Sequence, residues 1–134
     1  MPKTLRKHIE VNVGDQILTA FEGNRLVYQY DCITGRAGHL TSLGIFSIIR
    51  KWPKYRSATY GNWPMDHAMF FTSDGQAIHE YYGDTPFSLL RAGKWTLGTW
   101  DPFFGSHGCV RLQKEDATTL YDWTPEHTEV RVFA

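Results

Sequence analysis

Short apolar alternations cut by tight-turn residues constrain this chain more than anything else in it. Ile9, Val11 and Val13 alternate with polar neighbours, the period of a half-buried strand, and Gly14-Asp15 follows as a two-residue hairpin turn. Residues 17–21 read as the return strand, Gly23-Asn24 as a second turn, and residues 26–33 as a third strand ending at Thr34-Gly35. Residues 44–49 form another apolar run. Residues 68–71 and 76–79 flank Thr72-Ser73-Asp74-Gly75, where Asp-Gly marks a hairpin. Residues 129–133 close the chain, with Val130 and Val132 on one face and Arg131 and Phe133 on the other.

Only residues 113–123 predict a notable helix. Glu115 and Asp116 suit its first turn, where the helix dipole is positive, and Ala117, Leu120, Tyr121 and Thr124 share one face before Pro125 stops it. Residues 51–65 and 80–105 hold prolines and glycines and read as long loops, with a helical turn at residues 89–94. The expected fold is mainly β, a sandwich or partial barrel with one main helix. No repeat, linker or low-complexity segment divides the 134 residues, so a single domain is expected.

Fourteen basic and fourteen acidic side chains cancel, so nothing points to nucleic acid or an anionic membrane. No apolar run approaches the roughly 18 residues of a membrane span. The basic start, residues 1–7, leads straight into a strand rather than a signal-peptide core. On this reading the chain acts where it is made, or its export segment is not part of this sequence. The 5 Trp, 7 Tyr and 8 Phe exceed what a core of this size needs and suit a groove lined by flat rings.

Chemistry concentrates at Ser106-His107-Gly108-Cys109-Val110-Arg111-Leu112. Gly108 allows a sharp turn without a Cβ clash. Such a turn can aim the Cys109 sulfur outward and leave backbone N–H groups open to hold an oxyanion. His79, in Ala77-Ile78-His79-Glu80, supplies a second imidazole. A thiol with an imidazole base is the equipment of nucleophilic catalysis, and neighbouring cations or N–H dipoles are expected to lower the thiol pKa. His107 is nearer to Cys109 along the chain and is the other candidate base. Cys32 reads as a small buried residue, and a Cys32–Cys109 disulfide would block the nucleophile.

Together, Ser106-His107-Gly108-Cys109-Val110-Arg111-Leu112 and the upstream Ala77-Ile78-His79 resemble the catalytic domain of the L,D-transpeptidases, the YkuD-like family. Residues 40–46, 68–72, 116–121 and 126–132 resemble further family segments, so the likeness runs from about residue 8 to 133. Three departures stand out: Glu80 where the family has a small residue, Ser42 where it has proline, and a long spacer over residues 80–105.

The resemblance implies attack by Cys109 on the amide before a terminal D-alanine of a peptidoglycan stem peptide, giving a thioester. It implies His79 as base, held by the backbone carbonyl of Glu80, with His107 shaping the pocket and N–H groups at Gly108 and Cys109 as the oxyanion hole. An acceptor amine would then give a 3→3 cross-link, whereas water would give L,D-carboxypeptidase trimming. No cofactor is called for, and an extracytoplasmic monomer is expected.

Arg111 can grip a substrate carboxylate or form an ion pair with Glu115 or Asp116, and Ser106 more naturally bonds within its turn beside the substrate. Trp95 and Trp100, with Phe103 and Phe104, can line the substrate groove as a lid or simply pack the arm. Three other readings compete: a zinc site at His79, His107 and Cys109, a non-catalytic wall-binding module, and an antibacterial effector with the same chemistry.

Overall fold

The computed structural model describes residues 6–35, 40–57, 63–83, 85–97 and 108–134, with side chains described except at 57, 63 and 93–97. The first three strands, β1 (Lys7–Asn12), β2 (Ile17–Glu22) and β3 (Arg25–Asp31), form the expected meander. β4 (Gly44–Ser47) and the closing strand complete a five-stranded sheet, with β1 running parallel to the latter. β5 (Arg50–Trp52), β8 (Ala68–Phe70), β9 (Ala77–Glu80) and β10 (Val110–Leu112) form a four-stranded sheet. β6 (Arg56–Ser57) and β7 (Trp63–Pro64) make a small ribbon. Helix α1 spans Phe87–Leu97, α2 spans Lys114–Trp123, and β11 spans Glu129–Phe133.

Alternation builds the core. Ile9, Val11, Leu18, Ala20, Val130 and Val132 of the first sheet meet Met69, Ile78, Val110 and Leu112 of the second, with Ala117 and Leu120 of α2. Each Val, Leu, Ile or Met side chain among them, fully buried, contributes on the order of 1.5–3 kcal/mol. The opposite face of the second sheet carries a smaller cluster of Met65, Ala68, Phe70, Ala77 and Cys109. Odd and even positions of β9 and β10 therefore serve different ends: Ile78, Val110 and Leu112 hold the sandwich, while their neighbours build the second face.

Several expectations need correction. Residues 80–105 are not simply a loop, because α1 lies within them. Pro86 presets the helical start, and its carbonyl accepts the N–H groups of Leu89 and Leu90 at 3.1 Å. Leu90 is buried, and Arg91 donates to the Gln16 and Asp15 carbonyls and pairs with Asp31 at 3.4 Å. Tertiary contacts thus hold a helix whose Gly93 costs about 1 kcal/mol of propensity.

Residues 51–65 likewise contain strand rather than loop alone, since Lys51 and Trp52 pair with Met69 and Ala68. The turn after β1 is four residues, not two, and ends on Gln16 at φ +56°. Its buried side chain satisfies the Thr34 N–H and hydroxyl. The strand expected to run to residue 33 stops at Asp31, and Ile33 makes a separate bridge to Arg111.

No basic residue sits in the last turn of α2. Other strands supply the charge. Lys51 Nζ donates to the Tyr121 and Thr124 carbonyls at 2.6 Å, and Lys7 Nζ donates to the Trp123 carbonyl at 2.7 Å. Both cations face the negative end of the helix dipole and lie over aromatic rings of the helix. Replacing Lys51 with Met should lower unfolding stability by about 1–2 kcal/mol in urea titration and speed amide exchange at the end of α2.

Candidate active site

Gly108 sets the local geometry. Its φ of +104° is left-handed backbone, and a Cβ there would lie 3.1 Å from the Gln76 side-chain carbonyl carbon. A larger residue therefore meets both strain and a clash. Gln76 is itself tied down: its Oε1 accepts the Ser42 N–H at 3.0 Å, and its Nε2 donates to the Ser42 hydroxyl at 2.9 Å. A sharp bend against a braced amide thus leads into Cys109.

Register then places the chemistry. β10 runs parallel to β9, with Val110 opposite Ile78 and Arg111 opposite His79. Ile78 and Val110 point into the main core, so Ala77, His79, Cys109 and Arg111 occupy the other face. Four expected site residues, Cys109, His79, Gly108 and Arg111, are thereby assembled at one corner of the four-stranded sheet. Ser106, His107 and Trp100 lie outside the described residues, as do Phe103, Phe104 and the side chain of Trp95. The zinc alternative depends on His107 and falls there too; among the described residues no group of three His, Cys, Asp or Glu side chains could hold a metal ion. Cys32 sits in the main core and is not joined to Cys109.

His79 is 3% exposed, and its Nδ1 lies 2.7 Å from the Glu80 carbonyl oxygen. A carbonyl only accepts, so Nδ1 carries the proton and Nε2 presents a lone pair. Burial pulls the imidazolium down to about 4, against that hydrogen bond, and the positive charge of Arg111 lowers it further. The ring is neutral at pH 7. The Glu80 side chain points elsewhere in function: its carboxylate meets His67 Nδ1 at 3.1 Å.

The thiol departs from expectation. Cys109 is 5% exposed, and burial pushes its pKa up to about 11 despite a backbone hydrogen bond at Ala77 and the pull of Arg111. Its sulfur lies 3.9 Å from the Gly75 carbonyl oxygen. Desolvation outweighs the local dipoles, so at rest Cys109 is a protonated thiol and His79 a neutral imidazole on the same face of the sheet.

Arg111 is 9% exposed, and among the described residues its Nε and Nη2 are buried without a hydrogen-bond partner. Burial lowers its pKa to about 10, yet the guanidinium remains charged at pH 7. Among the described residues no carboxylate pairs with it, so the expected alternative of an ion pair with Glu115 or Asp116 does not hold. Both carboxylates lie in the first turn of α2. Its guanidinium carbon instead stands 5.4 Å from the centre of the Tyr81 ring. Tyr81 and Gln76 escaped the sequence reading because each acts across strands, on a residue some thirty positions away, and no local spacing marks it.

His79 couples the site to stability. Its folded pKa lies below its unfolded value, so between about 6.5 and 4 the unfolded chain binds the extra proton. The stability tied to the neutral ring is present above pH 6.5 and is lost as pH falls toward 4. Urea titrations over this range should show a decline on the order of 2–3 kcal/mol that His79→Asn flattens.

Comparison with known proteins agrees with this architecture. The family model for the L,D-transpeptidase catalytic domain, YkuD, matches residues 6–132. An L,D-transpeptidase from Stackebrandtia nassauensis superposes with a TM-score of 0.78 at 24% identity, covering 100% of this chain and 57% of that one. The L,D-transpeptidase from Mycobacterium smegmatis gives a TM-score of 0.75 at 19% identity, covering 97% and 59%. An LD transpeptidase solved in complex with imipenem gives 0.76 at 16% identity, covering 96% and 59%. This chain therefore spans less than two thirds of the length of those structures. A search of curated proteins finds no match. The matched residues take in nearly all of the chain, and by that match it belongs to the L,D-transpeptidase catalytic domain family.

Proposed function

We propose that this chain is one catalytic domain of a cysteine-dependent L,D-transpeptidase acting on peptidoglycan stem peptides outside the cytoplasm. The observation that carries the reading is the His79 Nδ1–H held by the Glu80 carbonyl at 2.7 Å, which leaves Nε2 as a base on the face that holds Cys109.

The cycle follows from the resting protonation. As the donor peptide enters, His79 Nε2 takes the proton of the Cys109 thiol while the sulfur attacks the amide carbonyl carbon. The carbonyl electron pair moves onto oxygen, where N–H groups at Gly108 and Cys109 serve as the oxyanion hole. Collapse breaks the C–N bond, and His79 returns its proton to the departing D-alanine amine. A thioester on Cys109 remains. The amine of a second stem attacks it to form the 3→3 cross-link and regenerates the thiol. Arg111, charged and with two donors open, receives a substrate carboxylate. Ser106 and His107, on the strength of the family motif, and Trp95 and Trp100 are the further candidates for contact with the substrate in this proposal.

Purified protein incubated with a disaccharide-tetrapeptide should yield a cross-linked dimer and D-alanine by mass spectrometry, and both should vanish in Cys109→Ala. D-alanine release without dimer would assign the domain to L,D-carboxypeptidase trimming. Exposure to imipenem should add one adduct mass to the wild type and none to Cys109→Ala. Absence of both product and adduct in the wild type would overturn the reading.

A further inference from the structure

Arg111 poses a physical problem that its neighbours solve in an unusual way. A buried guanidinium normally takes a carboxylate partner, which satisfies its donors and its charge together. Here the partner is the face of Tyr81, 5.4 Å away. A ring face attracts the cation through its quadrupole but accepts no in-plane hydrogen bond. The attraction therefore leaves Nε and Nη2 unspent, and both are buried and without partners. These two donors lie on one edge of the planar group, the edge that matches the two oxygens of a carboxylate.

Tyr81 is in turn held by the arm between β9 and β10. Its hydroxyl donates to the Thr85 carbonyl at 2.6 Å, and its ring meets Phe87, the first residue of α1, edge-on at 5.6 Å. Its N–H donates to the Leu112 carbonyl at 2.7 Å, one residue beyond Arg111. Backbone, hydroxyl and ring edge are each anchored, so the ring face is a fixed shelf.

We propose that Tyr81 is a positioning residue: its ring face fixes the orientation of the Arg111 guanidinium and so sets how tightly the site holds the carboxylate of its acyl donor. Arg111 stands two residues from Cys109, roughly 6.5 Å along an extended strand, which sets the reach between reacting carbonyl and carboxylate. The inference rests on the reading of Cys109 as the acyl-accepting nucleophile. It adds what the described part of the arm does: residues 85–87 hold the shelf that aims the guanidinium.

Two donors identical except for a final carboxylate or carboxamide separate the possibilities. Wild type should favour the carboxylate donor in kcat/KM by about 100-fold. Tyr81→Phe keeps the ring, its backbone anchor and the Phe87 contact and loses only the Thr85 tie, so it should keep most of that ratio. Tyr81→Leu and the bulkier Tyr81→Met should cut it about tenfold, mostly through KM of the carboxylate donor. Equal losses on both donors, with the ratio unchanged, would make Tyr81 merely structural and overturn the proposal. So would a ratio near one in an active wild type, which would leave the chemistry at Cys109 standing. Thermal stabilisation by N-acetyl-D-alanine against N-acetyl-D-alaninamide reads the subsite without turnover. Stabilisation by the acid alone, weakened in both ring-free variants, supports the subsite even if neither donor is processed, in which case the proposed reaction fails instead. Equal response to acid and amide would sink the subsite.

Discussion

Burial of one face of the four-stranded sheet is the constraint from which the rest follows. Had Cys109, His79 and Arg111 stood in water, each would keep its ordinary ionisation. Instead all three are less than one tenth exposed, and burial moves each toward its neutral form. The thiol and the imidazole become neutral. Arg111 alone stays charged, because even a pKa of about 10 leaves it protonated at pH 7. Among the described residues, a fixed cation on the same face as a neutral thiol and a neutral imidazole makes a site that awaits negative charge, whether a carboxylate on the substrate or an oxyanion forming during attack.

The fold supplies that face by using its two sheets unequally. Ile78, Val110 and Leu112 belong to the common core, so β9 and β10 are held in place by the same packing that stabilises the sandwich. Their alternate positions are thereby available for chemistry without weakening the interior. The parallel pairing of β9 and β10 brings His79 level with Arg111 although thirty-one residues of chain separate them, and much of that separation is the arm containing α1. Arg91 and Leu90 seat the arm near the β1–β2 turn, while Tyr81 and Phe87 link its start to the guanidinium.

What could be read from the residues divides along the line between local and distant physics. Asp74-Gly75 announced its hairpin, and Val130 and Val132 their inward face, because turn chemistry and period-two alternation are written in neighbours. Cys109, Gly108, Arg111 and His79 were legible as a motif. Helix α1 shows only as a turn at residues 89–94, since Pro86 and Gly93 look like loop punctuation and the burial of Leu90 is not written in its neighbours. The short strand β5 hid in the same way, beside Pro53 and with only three residues to show a period. The ionisation of Cys109 is hidden for a related reason: sequence names the dipoles near a thiol but not the depth at which it sits, and here depth prevails. The Tyr81 shelf and the Gln76 brace depend on strand register, which no single stretch of sequence displays.

The central claim, a neutral thiol–imidazole pair at rest, is tested most directly by titrating Cys109 itself. The rate of its alkylation by iodoacetamide can be followed by intact mass from pH 5 to 11, in a Cys32→Ser background. The account predicts slow labelling that keeps climbing past pH 9, toward a thiol pKa of about 11. A rate that levels off below pH 7, the mark of a thiolate already formed beside an imidazolium, would contradict it.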